Sequence, residues 1–422
     1  MRAPNFVIGA AALVALAASA SSVFDTEDSP HGCVDETWTA VTTTNAPEAR
    51  AGHTAVWTGS EMIVWGGYNG TYLNTGAKYN PGTDTWTTIS TTNAPEARAG
   101  HTAVWTGNEM IVWGGYNGTY LNTGARYDPG TDTWTAISTT NAPDGRQDYT
   151  SVWIGSEMII WGGLDDGNYL NTGARYDPIG DSWSATSVTN APKGRYEHSA
   201  IWTGSEMIVW GGFIGGLPLN DGGRYNPGTD SWTATNTTNA PSPRGYHTAV
   251  WTSSVMIVWG GWDDQNVWNT GGSYNPGADS WTATSTSNAP DARFLHTAVW
   301  TGSDMIAWGG TDALKQFNTG GTYNPDTDNW LATTTNSAPE RRVGHTAVWT
   351  GSEMIVWGGL NDIGPFYLNT GGRYCAPFGP TPTPTPTVTP TPTVTVTPTP
   401  GSRPTPTPRS RPAPHPRPTP PR

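Results

Sequence analysis

Residues 50 to 67 read Arg-Ala-Gly-His-Thr-Ala-Val-Trp-Thr-Gly-Ser-Glu-Met-Ile-Val-Trp-Gly-Gly, and close copies of this stretch recur along the chain. The Trp-Gly-Gly tripeptides start at Trp65, Trp113, Trp161, Trp210, Trp259, Trp308 and Trp357, a spacing of 48 or 49 residues. A period of that length with a glycine doublet is the pattern of a propeller blade rather than of a helical solenoid. Within one unit, residues 53–57, 61–65, 75–79 and 86–90 are short β-rich runs separated by turns of Gly, Pro, Asn and Asp. Each unit therefore reads as a four-stranded antiparallel meander. In Met62-Ile63-Val64-Trp65 neighbouring residues are all apolar, which fits a sheet covered on both faces. Blades packed face to face around an axis supply that cover, and no helical periodicity interrupts the repeats.

Arg98, His101, Gly114-Gly115, Tyr127 and Trp134 recur in every unit, apart from the His of the third. On these residues the chain resembles the Kelch repeat family of β-propellers over about residues 34 to 375. The resemblance implies an all-β, seven-bladed propeller of four-stranded antiparallel blades. It leaves activity open, because propellers of this kind include protein-binding modules, sugar oxidases and sugar isomerases.

The ends of the ring are legible in the residues. The seventh unit stops at Tyr374 without its Asp-x-Trp strand, while an orphan copy, residues 36–41, precedes the first unit. The N-terminal segment is thus expected to supply the outer strand of the last blade. Aligning Trp38 with Trp86 puts Cys33 at the place of Pro81, and aligning Tyr374 with Tyr79 puts Cys375 at the place of Asn80. These positions are adjacent in an intact blade, so a Cys33–Cys375 disulfide is expected at the seam. Closing so long a loop would contribute more than about 4 kcal/mol by chain entropy.

Residues 6–18 are apolar after Arg2 and lead into Ala18-Ser19-Ala20, which reads as a secretory signal peptide over residues 1–20. A linker over 21–32, the propeller over 33–378 and a Thr/Pro- and Arg/Pro-rich tail over 379–422 complete the organisation. Export to the outside or the cell surface agrees with a disulfide. The chain carries −13 at pH 7, and the five tail arginines face no acid, which leaves residues 1 to 379 at −18. So acidic a ring argues against nucleic acid as a partner. The basic tail is suited to a spacer, or to contact with anionic cell-wall or envelope polymers, and a monomer is expected.

A residue present in every blade maintains the blade; a departure marks a candidate site. Of the 23 tryptophans, 21 occupy three fixed positions per blade, counting Trp38 in the seventh. The recurrent His and Arg residues are read the same way, as structural hydrogen-bonding groups. By the geometry of a meander, the loop after Gly-Gly and the two residues between Arg and His share one face of the disk, and most of the variation falls there. In units three to six that face carries Gln147, Asp148, Tyr149, Tyr196, Glu197, Tyr246 and Phe294, with Trp262 and the pairs Asp165-Asp166 and Asp263-Asp264 in the loops. Tyr149 stands where His is expected. Trp268 and Phe317 occupy a slot held by leucine elsewhere and are read as core.

Together the variable residues are expected to form an acidic, aromatic-lined funnel for an extracellular glycan or protein, since aromatic faces stack on sugar rings and attract cations. Catalysis is not expected, although a carbohydrate-active enzyme and a structural envelope or matrix protein are the alternative readings. The copper chemistry of the sugar oxidases in this family needs a cysteine-modified tyrosine, and both cysteines here are assigned to the seam. No zinc-protease, nucleophile-elbow or phosphate-loop motif occurs. The Asp pairs lack the spacing of a recognised calcium loop, and neither metal nor cofactor is expected.

Overall fold

A computed structural model describes residues 36–364 and 366–376, all within the first of the two units into which the chain divides, Met1–Gly379 and Pro380–Arg422. Seven four-stranded antiparallel sheets follow one another. Blade one comprises Thr54–Trp57, Met62–Trp65, Gly76–Asn80 and Thr85–Thr88, and blades two to six repeat that order. Blade seven takes Thr346–Trp349, Glu353–Trp357 and Gly371–Cys375 from the C-terminal end and Thr37–Val41 from the N-terminal end. First strands of successive blades touch all the way round, and the last touches the first, so the ring is a closed β-propeller.

The seam repeats an ordinary blade. Trp38 lies opposite Tyr374 and Thr37 opposite Cys375, as Trp86 lies opposite Tyr79 and Thr85 opposite Asn80. The Glu36 N–H donates to the Cys375 carbonyl at 2.9 Å, and Cys375 is buried. Cys33 lies outside the described residues, as do the segments expected to be a signal peptide (1–20), a linker (21–32) and a Pro-rich tail (379–422).

The apolar second strands explain themselves once the blades are stacked. Met62 and Val64 pack with Ile355 and Trp357 of blade seven, while Ile63 and Trp65 pack with Met110 and Val112 of blade two. Alternate residues thus face opposite neighbours, and all four are fully buried.

Polar staples join the blades near the rim. The Trp86 indole N–H donates to the Thr42 carbonyl at 2.9 Å, and one carboxylate oxygen of Asp84 accepts from both the Thr42 N–H and the Tyr79 hydroxyl. Near the axis, His53 Nε2 lies 2.9 Å from Thr346 Oγ1 of blade seven, and His101 bonds Thr54 in the same way. The recurrent His and Arg residues are therefore structural, as their repetition implies.

Candidate functional site

Each recurrent arginine pins the face that carries the variable residues. Buried Arg146 donates through its guanidinium to the carbonyls of Gly162 and Thr172 on either side of its own loop. Its carbonyl in turn accepts from Gly115 N–H of the preceding blade at 2.8 Å. Bridges between Ala51 and Tyr68, Gln147 and Leu164, Tyr196 and Phe213, and Gly245 and Trp262 then bind the Arg-to-His residues to the loop after Gly-Gly. These two segments share one face, as the meander requires.

The residue before each His position forms an inner ring: Gly52, Gly100, Asp148, Glu197, Tyr246, Leu295 and Gly344. All seven have left-handed backbones, with φ from 53° at Glu197 to 65° at Gly100. Consecutive members bond N–H to carbonyl: Gly52 to Gly344, Gly100 to Gly52, Glu197 to Asp148, Tyr246 to Glu197 and Leu295 to Tyr246, at 3.2 to 3.4 Å. Glycine is the sterically neutral choice there, and three blades have it. Four adjacent blades instead hold side chains in a conformation that costs roughly 1–2 kcal/mol per residue.

An aromatic arc spans the same blades, with Tyr246 of the ring as one of its members. Tyr169 stacks on Tyr196 at 5.6 Å between ring centroids, Tyr196 meets Phe213, Phe213 meets Tyr246 and Trp262, and Trp262 stacks on Phe294 at 5.6 Å. Phe213 is the hub of this run. It leans over the next blade so closely that a Cβ at Gly245 would collide with its ring, which explains the glycine there. A second arc, Tyr367, Tyr68, Tyr72, Tyr116 and Tyr120, continues round blades seven, one and two. Both arcs leave their rings only partly exposed, apart from exposed Tyr169 and buried Phe213.

Negative charge converges on the same place. Asp148 is 6% exposed and Glu197 4%. Burial pushes the Asp148 carboxyl up to about 7, and neither of its oxygens has a hydrogen-bond partner. Tyr196 is pushed up to about 12, first by burial, then by Tyr169, Glu197, Asp148 and Asp264. Tyr246 is raised by burial and then by Glu197 and Asp148; Tyr120 by burial, then by Tyr116, Asp148, Asp166 and Asp165.

The predicted site residues divide. Asp148, Tyr196, Glu197, Tyr246, Trp262 and Phe294 come together as described, with Gln147 bridged to Leu164 beside them. Asp165 belongs to a two-residue ribbon, Leu164–Asp165 against Asn168–Tyr169, with Asp166 exposed at its turn. Asp263 folds back on its own loop, accepting from Gln265 and Asn266 N–H, and Asp264 is exposed. Tyr149 lies beneath the face at 2% exposure, its hydroxyl donating to the Trp113 carbonyl and accepting from Thr102 Oγ1 at 2.9 Å. It does the inter-blade work of the missing His. Among the described residues no group of three or more His, Cys, Asp or Glu is placed to hold a metal ion.

Phe213, Tyr169 and Tyr120 belong to the site although they stand outside the cluster chosen from sequence. The first occupies the slot after Gly-Gly that also carries Trp262, and Tyr120 is one of the variable-face aromatics, in a Tyr-Asn-Gly-Thr-Tyr stretch that occurs at both 68–72 and 116–120.

A seven-bladed ring whose repeats build the scaffold and whose departures collect on one face is a β-propeller of the interaction type. The chain belongs to the Kelch-repeat propellers: the profile described as KLHDC2/KLHL20/DRC7 Kelch-repeats domain matches residues 22–191 and 148–359. Kelch-repeat propeller domains are typically non-catalytic interaction modules, which suggests a protein-interaction role. No curated protein matches the chain.

Proposed function

We propose that this propeller is a secreted or surface-displayed binding module that takes an extracellular glycan or protein at the axial mouth of blades three to six. The observation that carries this reading is the inner ring. Asp148, Glu197, Tyr246 and Leu295 hold strained left-handed backbones where glycine suffices in blades one, two and seven. Strain retained in one contiguous sector, alongside a run of aromatic rings, is what a recognition site requires and a passive scaffold does not. Exposed Leu217, Leu314 and Phe366 in loops on the same side add apolar anchors at its rim.

The apolar N-terminus and small-residue motif support export, and a Cys33–Cys375 bridge would then lock the seam. The proline-rich tail would act as a spacer or a contact to the envelope. A glycan array and a surface pull-down with the full chain, alongside a variant carrying alanine at Tyr196, Glu197 and Tyr246, test the reading. Capture that the variant loses while keeping its unfolding midpoint supports it. Capture unchanged in the variant rejects this face, and a folded chain that captures nothing leaves a structural role.

A further inference from the structure

We infer that the axial mouth is a receptor for a protonated amine or guanidinium, a lysine or arginine side chain of a peptide ligand, seated at the Asp148 carboxylate beside Glu197 and walled by Tyr120, Tyr196 and Tyr246. This deepens the reading of the same face and rests on it.

Asp148 is a carboxyl almost entirely removed from water whose two oxygens have no donor, and no Lys or Arg among the described residues forms an ion pair with it. Burying such a group without a partner costs several kcal/mol unless it neutralises or a cation arrives. Nothing in the fold requires it, because Gly52, Gly100 and Gly344 fill the same ring position without a side chain. The next ring member is Glu197, also buried, its N–H bonded to the Asp148 carbonyl at 3.4 Å. The carboxyl lies against the inner ring, its Oδ1 3.8 Å from where a Cβ at Gly100 would stand, and Tyr120, Tyr196 and Tyr246, which feel its charge, come from the loop of blade two and the inner segments of blades four and five.

The chemistry selects an organic cation. Among the described residues no third His, Cys, Asp or Glu joins the two carboxylates, which falls short of the charged ligand set of a divalent-metal cage. An ammonium or guanidinium instead supplies hydrogen bonds to both carboxyls and cation–π contact with the tyrosine faces. The −18 charge of residues 1 to 379 draws such a ligand toward the ring.

The test is calorimetric titration of the full chain with Gly-Tyr-Arg-Tyr-Gly, the same peptide with lysine, with citrulline or with acetyl-lysine, and free spermidine. The arginine and lysine peptides are expected to bind, with their uncharged counterparts at least tenfold weaker. Asp148→Asn and Asp148→Gly, the latter copying blades one, two and seven, are expected to weaken the charged peptides at least tenfold while folding normally. Spermidine binding as tightly as the peptides would assign the site to a free polyamine and overturn the peptide ligand. Equal binding of the citrulline peptide, unchanged binding by Asp148→Gly, or no binding of any cationic probe at millimolar concentration would overturn the inference. If surface capture nonetheless persists and is lost in the Tyr196/Glu197/Tyr246 alanine variant, the face remains a binding site for an uncharged ligand; if that variant also captures normally, both readings fall.

Discussion

The hydroxyl of Tyr149 in blade three lies 2.9 Å from Oγ1 of Thr102 in blade two. At the other six junctions an imidazole Nε2 takes that position against a Thr or Ser hydroxyl, at 2.8 to 2.9 Å. Tyr149→Phe removes the bond and leaves Thr102 Oγ1 and the Trp113 carbonyl poorer by one partner, at an expected cost of about 1–3 kcal/mol in urea unfolding. Tyr149→His restores the general arrangement and should lose less than half as much. Neither variant should change ligand capture, because the side chain lies below the face.

Acid should unfold the ring through its histidines. Burial, followed by nearby arginine charge, holds His101, His247 and His345 down at about 3 and keeps His53, His198 and His296 well below their ordinary value. A depressed imidazole takes up its proton more readily in the unfolded chain. The stability it contributes is complete above about pH 6.5 and is lost as pH falls toward about 3, by roughly 1.4 kcal/mol per pH unit for each group. Asp148, raised to about 7 by burial, works the other way: its folded form gains as pH falls from 7, and the titratable groups that share its charge field are Tyr120, Tyr196 and Tyr246. One carboxyl against six imidazoles leaves the net direction unchanged. Urea midpoints at pH 7.5, 6 and 5 should therefore fall in that order, and Tyr149→His should steepen the fall.

The strained ring separates stability from recognition. Leu295 holds φ at 56° in a position that glycine fills in three blades. Leu295→Gly relieves roughly 1–2 kcal/mol of steric cost and gives back part of it as unfolded-chain entropy. Thermal unfolding is expected to rise slightly or hold, while ligand capture weakens.

The rim staples can be tested singly. Asp132 accepts from the Tyr127 hydroxyl at 2.7 Å and from Ser90 N–H of the preceding blade at 2.9 Å. Asp132→Ala orphans both donors and should cost about 1–3 kcal/mol, whereas Asp132→Asn keeps an acceptor and should cost less.

At the seam, the proposed Cys33–Cys375 bridge predicts that the chain, produced under oxidising conditions, shows no titratable thiol until it is reduced. Reduction should then lower stability by about 4 kcal/mol or more, measured by denaturant unfolding with and without reductant. A thiol that reacts in the native, unreduced chain removes the bridge.

The fold was open to reading because each blade must satisfy the same packing on both faces. Met62-Ile63-Val64-Trp65 displays that demand directly, and Trp38 without a blade of its own displays the closure. The site was only half legible. The departure at Tyr149 marks it as a candidate for the variable face, but a phenol reaches the donor and acceptor that an imidazole reaches, so the substitution stays inside the wall. The left-handed ring was signalled only by Gly52, Gly100 and Gly344. Backbone handedness at Asp148, Glu197, Tyr246 and Leu295 is imposed by closure of the ring, which no single segment encodes. Phe213 gained its place as hub from Gly245 in the next blade, a contact between units rather than within one.

The closing strand meets blade seven through contacts that every blade offers: Trp38 faces Tyr374, packs on Trp308 of the preceding blade at 5.2 Å and donates to the Thr334 carbonyl. Trp86 makes the same three contacts in blade one, with Tyr79, Trp357 and the Thr42 carbonyl. A gene that gained or lost one 48- or 49-residue unit by unequal recombination would still encode a chain able to fasten itself, with only the bore of the axial opening changed. Blade number in such chains is therefore a heritable dial on the width of the mouth, adjustable without redesign of the clasp.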